Sequence, residues 1–212
     1  MSVFIGQEQI VEYALPPMLV QELVEKARDR EIYYEVHPNE GTGFSLKQDK
    51  MYMCHQVMDP KPDTVEENEW SSRKVAVKEQ IDWQDHMNSR NVSKVYFFSK
   101  NMKCIQDWKM ELDNLKKIVA FTSISSTEHN VEVMVANVSK ATGIQTLLDK
   151  FGLCRDHIIA VGDGENDLPM FKLASYSVAM NNASEFVKKQ VDDVTDHSYK
   201  EDGLYHFLKK TV

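Results

Sequence analysis

A short apolar, β-branched run, Ile158-Ile159-Ala160-Val161, opens directly into Gly162-Asp163-Gly164-Glu165-Asn166-Asp167 and then into Leu168-Pro169-Met170. The segment from Asp156 to Val161 has the composition of a buried parallel strand, and Leu168 to Ala174 that of a helix. A glycine-flanked turn at the carboxyl end of a parallel strand is where open α/β sheets place their ligands. Asp163 and Asp167 are four residues apart, so a helix starting near Glu165 lets both lean toward one point. Hard carboxylate oxygens there suit Mg²⁺. The turn therefore reads as a divalent-metal and phosphate site, against the plainer reading of an acidic turn with Asp167 as a helix cap.

Further motifs surround this turn in a definite order. Upstream lies Asn137-Val138-Ser139-Lys140-Ala141-Thr142-Gly143-Ile144, and downstream lies Tyr176-Ser177-Val178-Ala179-Met180-Asn181-Asn182-Ala183. Val191-Asp192-Asp193-Val194-Thr195 and Lys200-Glu201-Asp202-Gly203-Leu204 follow. The ordered set resembles the carboxyl-terminal half of the haloacid dehalogenase superfamily, and within it the Cof-type sugar-phosphate and nucleotide phosphatases. The specific part of the match runs from Glu132 to Leu208.

The resemblance implies an α/β fold, a haloacid dehalogenase-like Rossmannoid core with an inserted α+β cap domain. It also implies roles for single residues. Lys140 would pair with the transferring phosphoryl group and its nucleophile, Asp163 would be the direct Mg²⁺ ligand, and Asp167 would be a second or water-mediated one. Asn166 would bind the phosphate or hold Lys140, and Asn182 would order the phosphate-side loop, next to Asn181 where the family commonly has glycine. As a plain helix-start residue Lys140 is a misfit, because the macrodipole disfavours a cation there unless an anion stands nearby.

The same comparison shows what this chain lacks. Members of the family begin with a strand ending in Asp-x-Asp-Gly-Thr, which supplies the nucleophile and the general acid/base, and no Asp-x-Asp occurs in the 212 residues. Asp59 with Asp63, Asp82 with Asp85, and Asp192 with Asp193 do not follow an apolar strand into a glycine turn, and read as caps, turns or solvated faces. The opening, Met1 to Pro16, resembles the hairpin before the cap, so the core is expected to be N-terminally incomplete. Its strand at Ile158–Val161 would then show an apolar edge open to self-association or to a partner chain.

Composition agrees with a cytoplasmic protein. Three widely spaced cysteines, Cys54, Cys104 and Cys154, suggest neither a disulfide framework nor a zinc site. A net charge of −8 argues against a nucleic-acid face, and no apolar run has the length of a membrane span. A small phosphorylated metabolite remains the expected partner, because one lysine and a metal can set the local field against the global charge.

Along the chain, residues 1–14 and 126–212 are expected to form the partial core and 15–125 the cap. Leu19, Val20, Leu23, Val24 and Ala27 lie on one helical stripe after Pro16-Pro17. Ile32–His37 and Val92–Ser99 read as strands, Glu79–Met87 and Gln106–Lys117 as helices, and Ile118–Ser123 and Asn130–Ala136 as two more strands. Tyr34, His37, Tyr52 and His55 read as core more readily than as pocket. Two functions are carried forward. One is a Mg²⁺-dependent Cof-type phosphatase, impaired or inactive in this chain for want of its nucleophile. The other is a catalytically dead relative serving as a ligand-binding or protein-interaction module.

Overall fold

In the computed structural model, which describes residues 2–211, the chain divides into two compact units. Among the described residues, one is Ser2 with Glu12–Asn137, and the other joins Val3–Val11 to residues 138–211.

The chain opens on two paired strands, β1 (Ser2–Ile5) and β2 (Glu8–Glu12), turned at Gly6 with φ 61°. Helix α1 (Pro17–Arg28) follows, with proline inside its first turn and Leu19, Val20, Leu23, Val24 and Ala27 all buried, as their spacing predicts. Next come β3 (Tyr33–Pro38), β4 (Phe44–Leu46), α2 (Lys50–Gln56), α3 (Glu67–Val75) and β5 (Asp82–Gln84). They are followed by β6 (Val92–Phe98), α4 (Met102–Leu115), β7 (Phe121–Ile124) and β8 (Asn130–Val135). The strands form one six-stranded sheet in the order β5-β4-β3-β6-β8-β7, antiparallel except where β4 meets β5.

Registers give this sheet two unlike faces. Tyr34 and Val36 of β3, Val95 and Phe97 of β6, and Val131 and Val133 of β8 share one face, and all are buried in the same core as α1 and the α4 residues Ile105, Trp108 and Leu112. Tyr34 is therefore core, as expected, whereas His37 is half-buried and His55 exposed. The opposite face carries Glu35, Tyr96 and Glu132 in one row and His37, Lys94 and Met134 in the next.

Three expectations change here. Residues 79–87 are not a helix: α3 runs into a wide turn at Ala76–Gln80, buried Ile81 ends it, and Asp82–Gln84 joins the sheet beside β4. Helix α4 starts at Met102 instead of near Gln106, because the Asn101 side chain accepts the Cys104 N–H and caps it there. The expected break at residue 125 falls inside the β7–β8 hairpin. β8 pairs with β6 over Lys94–Phe98, and the compact unit closes at Asn137.

The second unit holds α5 (Lys140–Phe151), β9 (Ile159–Gly162), α6 (Leu168–Leu173) and β10 (Tyr176–Ala179). The elements α7 (Glu185–Lys188), β11 (Asp193–Val194) and α8 (Gly203–Thr211) complete it. β9, β10 and β11 form a parallel sheet in the order β11-β10-β9, so β9 is an edge strand, with Ile159 43 % exposed. Ala160, Phe171, Ala174, Ala179, Ala183 and Val187 make a small core dominated by alanine, which brings backbones close together. No helix of the described residues is long and apolar enough to cross a membrane.

Candidate active site

The carboxyl end of β9 carries the site. Gly162 ends the strand, the chain turns through Asp163 and Gly164, and a single 3₁₀ turn, Glu165–Asp167, leads into α6. Asp167 is only 2 % exposed. Its Oδ2 reaches back to accept the N–H groups of Asp163 at 3.0 Å and Gly164 at 3.1 Å, and its Oδ1 is ion-paired to the Lys140 ammonium.

Asp167 thus caps its own turn, as the plainer reading has it, and holds Lys140 at once. Three of its roughly four lone-pair positions are occupied. Burial alone would raise the Asp167 carboxyl, but Lys140 and the N–H groups of Gly164 and Asp163 outweigh it and hold the group below the usual carboxylate range.

Lys140 is the first residue of α5, after Ser139, whose N–H donates to Thr142 Oγ1. Asp167 is the anion that offsets the unfavourable macrodipole at this position. The Lys140 side chain stays 51 % exposed, so part of the ammonium still faces solvent, where an anionic ligand can reach it.

Gly162 is required by close approach. A Cβ there would lie 2.4 Å from Asp167 Oδ2 and 2.9 Å from its Cβ, so any side chain at 162 displaces the carboxylate. A Cβ on Gly164 would instead meet the exposed amide oxygen of Asn166 at 2.3 Å, and that side chain can swing away.

Asp163 is exposed, and its Oδ2 accepts from Asn182 Nδ2 at 2.9 Å. Asn182 Oδ1 in turn accepts the Tyr199 N–H at 3.1 Å, which ties the loop after β10 to the segment before α8. Asn181 does not use a left-handed conformation. Its N–H donates to the buried Thr195 Oγ1 at 2.9 Å and its amide to the Asp196 carbonyl, which holds the loop at a position where glycine would have no side chain to anchor.

The structure therefore brings together Lys140 with Asp167, and Asp163 with Asn182, while Asn166 stands exposed on the same turn without holding Lys140. Sequence reasoning gave no role to Tyr199 or to Thr195, although Thr195 ends the Val191–Thr195 motif; they act through one backbone N–H and one buried hydroxyl. It also missed the use of the Asp163 and Gly164 N–H groups as internal donors.

For a divalent cation the donor set is hard but short. Asp163 keeps one free oxygen and Asn166 an amide oxygen, and among the described residues no group of three His, Cys, Asp or Glu side chains is placed to hold a metal. Mg²⁺ commonly takes one or two carboxylates and fills its sphere with water and substrate phosphate, so Asp163 fits such an ion and Asp167 fits poorly as a direct ligand.

A family model described as haloacid dehalogenase-like hydrolase matches residues 3–208. A phosphoglycolate phosphatase of Nitrosopumilus maritimus is 32 % identical over 127 residues, covering 58 % of this chain and 54 % of its own length. A 5-amino-6-(5-phospho-D-ribitylamino)uracil phosphatase of Bacillus subtilis is 34 % identical over 122 residues, covering 58 % and 41 %. The chain thus spans about half the length of the curated relatives it matches. Among solved structures, a haloacid dehalogenase-like hydrolase from Bacteroides thetaiotaomicron superposes with a TM-score of 0.73 at 24 % identity, over 98 % of this chain and 71 % of the other. That likeness concerns the fold.

Proposed function

The chain belongs to the haloacid dehalogenase-like hydrolase family, and from that premise we propose that it carries the charge-stabilising part of a Mg²⁺-dependent phosphatase site for small phosphorylated metabolites, sugar phosphates or nucleotides. The curated relatives named above are phosphatases of small phosphorylated compounds, which supports the substrate class. The observation that carries the reading is the Lys140–Asp167 pair on the same turn as Asp163.

In this reading Lys140 offsets negative charge on the equatorial phosphoryl oxygens, and Asp167, itself bonded to the Asp163 and Gly164 N–H groups, keeps the ammonium aimed. Asp163 holds the metal ion, Asn182 fixes the Asp163 carboxylate, and Asn166 donates its amide to the phosphate. The bound ion would add positive charge against the same oxygens. Asp167 acts through Lys140 and not as a direct metal ligand.

An aspartyl-phosphate route also needs a free carboxylate to attack phosphorus. Neither carboxylate of the turn is available for that attack, since Asp167 is committed on both oxygens and Asp163 would serve the metal, which supports the reading that these 212 residues on their own are impaired or inactive in turnover.

The test is hydrolysis of an aryl phosphate by the chain with and without Mg²⁺, beside the Asp163→Ala/Asp167→Ala variant, with metal binding followed separately by Mn²⁺-induced NMR broadening. Metal binding without turnover supports the reading. Metal-dependent turnover that the variant loses would show a nucleophile within these residues. Absence of metal binding at Asp163 would remove the proposed site.

A second reading, a catalytically dead module that associates through a sheet edge, is favoured by the position of β9 at the end of its sheet with Ile159 exposed. Light scattering of the purified chain separates the two. A concentration-dependent mass that Ile159→Lys abolishes supports association, and a monomer at all concentrations removes it.

A further inference from the structure

The hydrogen bond between Asn182 and Asp163 lies at the surface, with both residues exposed. Water competes for such a bond, so on its own it holds the carboxylate weakly. Where Asn182 points therefore depends on what fixes the backbone around it, and that support leads to one buried hydroxyl.

Thr195 follows β11 and is 2 % exposed. Its N–H donates to the Ala179 carbonyl at 2.9 Å, which seats it beside the end of β10. Its Oγ1 accepts the Asn181 N–H at 2.9 Å and donates to the His197 carbonyl at 2.7 Å. The direction of both bonds is fixed, because an N–H can only donate and a carbonyl can only accept. One hydroxyl thus joins the residue before Asn182 to the residue two places before Tyr199.

These anchors stand next to the groups that Asn182 bridges. Asn182 Oδ1 accepts the Tyr199 N–H at 3.1 Å, and its Nδ2 donates to Asp163 at 2.9 Å. The turn that carries Asp163 is tied back as well, since the Met180 N–H donates to the Gly162 carbonyl at 2.8 Å. The bonds close a ring that begins and ends at the turn after β9, and Thr195 is its buried cross-brace. The His197 carbonyl has little room to turn elsewhere, because a Cβ on Gly203 would lie 2.1 Å from its oxygen. Loss of the hydroxyl takes this partner from an N–H and a carbonyl together and frees both arms of the loop.

We propose that Thr195 is a positioning residue: its hydroxyl aims the Asp163 carboxylate by way of Asn182. On the phosphatase reading, on which only this consequence rests, the brace sets how tightly Asp163 holds its metal ion, as groups standing behind a ligand commonly do.

The experiment is NMR of the full chain and three variants. Thr195→Val keeps the shape and removes the hydroxyl, Thr195→Ser keeps the hydroxyl, and Val187→Ala opens the small core without touching any of these bonds. Two quantities are read: the side-chain amide signals of Asn182, and Mn²⁺ affinity from line broadening on the Asp163 turn. Thr195→Val should move the Asn182 signals to those of a free carboxamide and weaken Mn²⁺ binding about threefold or more. Thr195→Ser and Val187→Ala should leave the Asn182 signals in place and the affinity within about twofold.

Unchanged Asn182 signals in folded Thr195→Val overturn the proposal. So does the same change in Val187→Ala, which would make the hydroxyl one source of stability among others. Should Thr195→Val fail to fold, the wild-type hydroxyl proton decides: a slowly exchanging signal with an NOE to the Asn181 amide is expected, and its absence overturns the brace. A wild-type chain that binds no Mn²⁺ removes the metal site of the phosphatase reading, while the Asn182 signals still decide the role of Thr195.

Discussion

Asp167 and Lys140 are twenty-seven residues apart in sequence and joined as an ion pair in which the carboxylate is 2 % exposed and the ammonium about half exposed. The pair is asymmetric, and the two partners should respond differently to mutation. Lys140→Met leaves a buried carboxylate held only by two backbone N–H groups, at a cost of about 1–3 kcal/mol. Asp167→Ala removes the cap as well as the pair and should cost more, because the N–H groups of Asp163 and Gly164 then lose their acceptor. Urea unfolding of the two variants checks this. Equal or negligible losses would mean that the pair does not organise the turn.

The same pair makes stability depend on acid. The folded-state carboxyl of Asp167 lies below its unfolded value. Its contribution is therefore fully present above the unfolded value and lost as pH falls through the folded one. Glu35 behaves alike: burial would raise it, but His37, Arg73 and Tyr33 together hold it down. The urea midpoint should stay level above about pH 5 and fall below about pH 4.5. In Lys140→Met burial is opposed only by the two N–H groups, so the fall should begin at higher pH. Superimposable pH profiles for the two proteins would exclude Asp167 as an acid trigger.

Glycines separated by one residue should differ sharply. Gly162→Ala drives a methyl group into the Asp167 side chain, which is buried and fixed at three points, whereas Gly164→Ala meets only the exposed end of Asn166. Overpacking of the first kind costs about 1–3 kcal/mol and should also free Lys140. The second should change stability by less than about 1 kcal/mol. Thermal unfolding of both variants, with the Lys140 side-chain signals followed by NMR, reads the difference. A similar effect at both positions would show that Asp167 can move.

How much of this could be read beforehand depends on the range of the interaction responsible. The β9 strand, the turn and α6 carry local signals of apolar run, glycine and helix period, and each formed close to where expected, although the strand starts at Ile159 and not at Asp156, because Arg155–His157 make a 3₁₀ turn first. Lys140 is marked out by the resemblance to the family's motif, the misfit of a cation at a helix start agrees with it, and the structure supplies the anion. The strand at Asp82–Gln84 could not be foreseen, because it is made by a parallel partner almost forty residues away and by the Asp82 N–H donating to the Gly43 carbonyl. The close of the first unit at Asn137 likewise follows from pairing between β8 and β6, which no local pattern announces. Tyr199 enters the site through a backbone N–H, a group that every residue except proline has.

A second buried carboxylate with a cationic partner lies in the α+β unit, and it gives a further prediction. Glu35 is 6 % exposed and accepts from Arg73 and from Tyr33 Oη, with His37 Nε2 at 3.3 Å. Burial would lower Arg73, but Glu35 outweighs it and the guanidinium stays charged. Arg73→Met therefore strands a carboxylate inside the sheet face, at a cost of about 3–5 kcal/mol. Glu35→Leu strands a half-buried guanidinium and should be costly too. The double variant leaves neither charge behind, so it should be more stable than the sum of the single losses predicts, with a coupling of about 1–3 kcal/mol. Urea unfolding of the four proteins in this cycle gives the coupling directly. Additive losses would mean that the two side chains are held by their other neighbours and not by each other.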